Sequence, residues 1–224
     1  MTVTEQQPSE PLRGLAPVHG PPPRGEHGPG PVGPDAAEVD LDAAESAARD
    51  FLRHLGVSLA PEGMEQTPGR MARAYAELLA PRPFQLTTFP NEHGYADFVI
   101  ARAIPVHSVC EHHFLPFTGI AHVGYLPGSR IVGLSKLARV VEHFARRPQV
   151  QERLTQQIAA LLTEQLGADA VGVVIEAEHL CMTLRGVQAA GSTTSTSAML
   201  GSLSKDADLR REFLSLVSLS GPGR

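Results

Sequence analysis

Two cysteines flanked by histidines are the residues of this 224-residue chain best suited to chemistry. Cys110-Glu111-His112-His113 and His179-Leu180-Cys181 gather two thiols and three imidazoles into two short segments, and no other cysteine occurs. Zinc accepts both ligand types, and two Cys with one His leave a fourth position for water, the ligand count of a catalytic site rather than a closed structural one. The surplus histidines could then carry protons. A blander alternative is a disulfide or two separately buried thiols, but disulfides are rare in a reducing cytosol, where clustered Cys and His more often mark metal or catalysis. If 179–181 is a strand, His179 and Cys181 share a face. Around Cys110 the spacing leaves two options open: a strand aligns Cys110 with His112, whereas a turn aligns it with His113.

A second constellation lies between Arg130 and Arg153, where Lys136, Arg139, Arg146 and Arg147 outweigh Glu142 and Glu152. No GxxxxGK[ST] loop exists, so any nucleotide triphosphate must be held by side chains, a task that suits the guanidinium fork. The plain alternative is that these charges solvate exposed helix faces. Lys136 stands out as one of only two lysines. Glu152, near a helix start, is favoured there by the helix dipole alone; its carboxylate could also accept two parallel hydrogen bonds from the N1–H and amine of a guanine, a pairing adenine cannot make. His107, His122 and His143 read as core or surface residues.

Positioning these groups requires a core, and 42% hydrophobic residues in 224 fit one globular domain plus tails. The net charge of −5, with no long basic run, argues against a general grip on nucleic acid. No stretch reaches the roughly 18 apolar residues of a membrane span and no secretory core is present, so a cytoplasmic protein is expected. Residues 1–34, with 9 Pro and 6 Gly, read as a disordered tail. A helical region is expected over 35–95: one helix through Val39, Leu41, Ala44, Ala48, Phe51, Leu52 and Leu55, stopped at Gly56, and a second opened by Thr67 as cap and Pro68, ended by Pro81 and Pro83. The remainder, 96–224, is expected to hold strands at 97–106 and 118–126, two helices within 135–166 parted at Pro148 and closed by Gly167, strands at 171–177 and 180–187, and a short helix at 206–217. Strands in adjacent pairs predict an α+β antiparallel sheet with helices on one face.

Four separated motifs together resemble GTP cyclohydrolase I: Ser108-Val109-Cys110-Glu111-His112-His113, Gly133-Leu134-Ser135-Lys136-Leu137-Ala138-Arg139, Arg147 through Thr155, and Glu178-His179-Leu180-Cys181-Met182 with Arg185-Gly186-Val187. The similarity runs from about Thr67 to Val217, roughly two thirds of the chain. It departs at Ala103, where relatives often carry an acidic residue. The resemblance implies a tunnelling fold assembled around a ring, a homodecamer of two pentamers with active sites at subunit junctions. It implies zinc on Cys110, His113 and Cys181, leaving His112 and His179 as catalytic groups. Ser135, Lys136, Arg139 and Arg185 match ribose and triphosphate contacts, Arg70 a phosphate contact from a neighbouring subunit, and Gln151 with Glu152 the guanine pocket.

The implied reaction consumes GTP and water and yields 7,8-dihydroneopterin triphosphate and formate, the entry to pterin and tetrahydrofolate synthesis. Zinc can bring the pKa of bound water to about 7, and an imidazole, His179 or His112, can protonate N7 as C8 is attacked. Ser135 is expected near the sugar during its rearrangement. Competing readings are 6-pyruvoyl-tetrahydropterin synthase, a nitrile reductase of the queuosine pathway, or an assembly protein with structural zinc. The first looks for three histidine ligands and the second for a cysteine nucleophile; neither accounts for two Cys beside three His.

Overall fold

The computed structural model describes residues 39–218, so the expected tail at 1–34 and the first residues of the expected helical region lie outside the described residues. Leu41–His54 (α1) and Thr67–Leu78 (α2) are the two anticipated helices. Asp40 caps α1 by accepting the Ala43 N–H at 2.9 Å, satisfying one of the donors that every helix start leaves free, and Gly56 follows its end at φ +77°. At α2 the cap position falls on Gln66, which makes no side-chain bond, so Thr67 is the first helical residue and not the cap. Its hydroxyl accepts instead from Arg70 at 2.9 Å.

Two short strands, Thr88–Pro90 (β1) and Arg130–Val132 (β4), form their own ladder. The main sheet has the order β5-β2-β3-β6-β7, built from Val99–Cys110 (β2), Pro116–Leu126 (β3), Pro148–Gln149 (β5), Ala170–His179 (β6) and Thr194–Gly201 (β7). All its pairings are antiparallel except β5 against β2. Leu134–Ala145 (α3) and Gln151–Leu166 (α4) pack on one face, where Leu137, Val141, Leu154 and Ile158 bury against Val106, Val123 and Val173. Pro148 parts the two helices, and Gly167, left-handed at φ +61°, closes α4.

One strand expectation is overturned. Residues 180–187 are not a strand: β6 ends at His179, and Leu180–Thr183 (α5) is a helical turn closed by the Leu184 N–H on Leu180 O at 3.1 Å. The strand that completes the sheet is β7, which begins only at Thr194.

Ala207–Ser218 (α6) adds a smaller layer on the opposite face, where Phe213 and Val217 join Ala170 and Leu203. Gly124 and Gly172 face each other across β3 and β6, and a Cβ at Gly172 would stand 2.5 Å from the Phe213 ring. The missing side chains are the slot that the ring fills. Gly172→Ala is therefore expected to cost about 1–3 kcal/mol through overpacking, read as a lower urea midpoint; an unchanged midpoint would show that the ring can move aside.

Candidate metal centre

Three local features bring the two Cys/His segments together. First, β2 ends at Cys110, whose carbonyl accepts the Phe114 N–H at 2.8 Å while its own N–H donates to Leu115 O at 2.9 Å. The result is a helical turn, in which residues three apart share a face, and His113 thus comes round beside Cys110. Phe114 sits at φ +56°, a left-handed conformation costly for a residue with a Cβ. Tyr75 of α2 stacks on its ring at 5.3 Å and donates its hydroxyl to its carbonyl at 3.2 Å, which helps hold that conformation.

Second, β5 lies parallel to β2, pairing Val109 with Pro148 and Cys110 with Gln149, and the Glu111 N–H donates to Gln149 O at 3.0 Å. Because α4 starts at Gln151, directly after this ladder, Gln151 and Glu152 stand next to the turn. Ser108 adds a bond from its hydroxyl to Ala145 O at 2.7 Å, tying the end of α3 to the same place. Third, the α5 turn carries Cys181 back from the end of β6.

The Cys110 and Cys181 sulfurs lie 3.9 Å apart, and a His113 ring nitrogen joins them with all three atoms within 4.8 Å of one another. Both cysteines are free and buried. Their separation is nearly twice a disulfide bond of about 2.05 Å, and it is close to the roughly 3.8 Å that two thiolates span on a tetrahedral zinc with Zn–S near 2.3 Å. Burial, and then the adjacent Cys110 thiol, push the Cys181 thiol up; a divalent cation between the sulfurs would reverse that balance and stabilise both as thiolates. The donor set fits zinc.

Around this triad stand the other predicted groups. His112 is exposed, with Nδ1 3.7 Å from the Cys110 sulfur. The half-buried His179 ring stacks on Phe117 at 4.5 Å and 11°, and its Nε2 lies 2.8 Å from Gln151 Oε1. Burial lowers the His179 pKa while the Glu152 carboxylate partly raises it. Gln151 is only 2% exposed, whereas Glu152 is exposed. Arg185 is exposed and near enough for its charge to favour the Cys181 thiolate.

Other predicted residues are not gathered here. Ser135, Lys136 and Arg139 lie in the first turns of α3, and the ten residue steps from Ser135 to Ala145 place Ser135 about 15 Å of helix axis from the end tied to Ser108. Arg139 lines a cavity of ≈ 410 Å³ with His107, Glu142 and Arg146. Arg70 folds back on its own loop, bonding Gly63 O and Thr67 Oγ1. Sequence reasoning gives no role to Arg153, which pairs with Glu111 beside the Cys110 turn and donates to Gln149 Oε1 at 3.0 Å; its signals are its place in the basic patch and in the Arg147–Thr155 motif.

The sequence profile described as GTP cyclohydrolase I matches residues 44–218. GTP cyclohydrolase 1 from Corynebacterium aurimucosum is 49% identical over 191 residues, covering 82% of this chain and 96% of the relative. The protein of the same name from Aquifex aeolicus is 48% identical over 179 residues, 80% of this chain and 97% of the relative. Among solved structures, the apo archaeosine synthase QueF-Like aligns with 46% of this chain and 93% of its own at 15% identity and a TM-score of 0.39, too remote to bear on fold or function.

Proposed function

The chain belongs to the GTP cyclohydrolase I family, and from that premise we propose that its metal centre opens the imidazole ring of GTP to give formate and 7,8-dihydroneopterin triphosphate. The observation that carries this reading is the convergence of Cys110, His113 and Cys181 beside two further imidazoles and the start of α4. Cys110, His113 and Cys181 would hold zinc, which when bound supplies an acidified water at neutral pH.

The chain's own residues account for the rest. Glu152 accepts from the guanine N1–H and amine, while Gln151 beside it, its side-chain amide already bonded within the protein, backs the base pocket without binding the base. His179 and His112 exchange protons with N7 and with the opening ring. Ser135 meets the ribose, and Lys136, Arg139, Arg185 and Arg70 neutralise the triphosphate. A closed structural site would need four protein ligands, and the cluster among the described residues offers three.

A homodecamer of two pentamers with sites at subunit junctions follows from the same reading. The distance along α3 separates Ser135 and Lys136 from the metal turn of their own chain, so a second copy would supply them. No described helix is long and apolar enough to cross a membrane, and paired free thiols suit a reducing cytoplasm.

Incubating the purified zinc-loaded protein with GTP is expected to release formate and a dihydropterin triphosphate in equal amounts, with ATP left intact. Neither product, at full zinc content, would overturn the proposal.

A further inference from the structure

We propose that Gln151 is a positioning residue whose side-chain amide locks the His179 ring with its Nε2–H turned into the protein, presenting Nδ1 to the substrate. The inference rests on the reading that His179 exchanges a proton with the purine, and it adds which atom does so and what holds it there.

The geometry fixes the direction of every bond. Gln151 Nε2 lies 3.1 Å from Ile175 O and 2.9 Å from Thr194 O. Backbone carbonyls only accept, so the amide NH2 must face them. Oε1 is then the atom 2.8 Å from His179 Nε2, and because an amide oxygen only accepts, Nε2 must carry the hydrogen. A third neighbour agrees: the Thr155 hydroxyl donates to Gln151 O at 2.8 Å, so the hydroxyl of Thr196, 2.7 Å away, donates to Thr155. That leaves the Thr196 oxygen to share one of the two amide hydrogens of Gln151 Nε2, 3.1 Å away.

Every polar atom of the Gln151 side chain is therefore engaged inside the protein, at 2% exposure. The partners that orient it belong to β6 and β7 and not to the substrate, so the amide cannot flip when GTP arrives. Phe117 closes one face of the His179 ring, and a half-turn of the imidazole would leave Oε1 buried without a donor, a loss that buried polar groups resist. An orienting hydrogen bond behind a functional histidine is the usual device for fixing its tautomer.

The test separates positioning from direct contact with the base. In Gln151→Met, kcat for formate release should fall on the order of ten- to a hundredfold, with KM for GTP and zinc content unchanged. Added to His179→Ala, the same substitution should cost less than about twofold further, since a residue acting through His179 has nothing left to act on. Gln151→Asn, which keeps an amide but withdraws its oxygen from His179, should repeat the pattern if the methionine variant folds poorly. A tenfold rise in KM at preserved kcat, or a full multiplicative loss in the His179→Ala background, would overturn the inference. Wild-type protein that releases no formate would instead remove the functional reading beneath it.

Discussion

Cys110→Ser is expected to release most of the zinc and to lower formate production by at least about a hundredfold, since even supporting shells around a metal are worth roughly 10–100-fold. The substitution is nearly isosteric, but a serine hydroxyl does not ionise near neutral pH, so the metal loses one of two anionic donors. Because Cys110 is buried at the junction of β2 and its turn, no neighbouring sulfur can replace it: the described cluster contains only one other, Cys181. Elemental analysis beside a formate assay checks both halves. A variant that kept its zinc and its turnover would remove Cys110 from the ligand set.

His179→Ala should behave differently, keeping zinc while kcat falls by roughly 10²–10⁴, the range attributed to a positioned general acid or base. Its ring contributes no atom to the Cys110, His113 and Cys181 cluster, so metal content should be blind to the change. Formate release at saturating GTP, with zinc measured on the same sample, provides the comparison. Near-normal turnover with zinc bound would assign the proton to another group, with His112 first in line at 3.7 Å from the Cys110 sulfur.

The long elements are legible in the sequence because their burial repeats. Val140, Val141 and Phe144 mark the α3 face, and Pro148 and Gly167 punctuate α4 where their backbone chemistry requires. Strands of two or three residues, such as β1, β4 and β5, are too short to show a period. β7 is hidden because Thr194–Gly201 is an edge strand rich in hydroxyls, while Leu180–Val187 has strand-like apolar residues but follows the end of its ladder at His179. At the centre, spacing could not choose between His112 and His113, since a bond from Phe114 to Cys110 decides the turn. The partners of Gln151 lie 24 to 45 residues away in sequence, so no local pattern could show that its amide is occupied.

The two-residue ladder of β5 against β2 makes the turn after Cys110 and the start of α4 one piece of backbone. Adding or deleting a single residue between Ala145 and Gln151 would invert the strand's alternation and turn Glu152 away from the Cys110 turn. Side chains along that stretch can be exchanged, but their number is set by the geometry. Redesign of the enzyme for another heterocycle would therefore have to work at constant length here, and lengthen the chain elsewhere, as between α5 and β7.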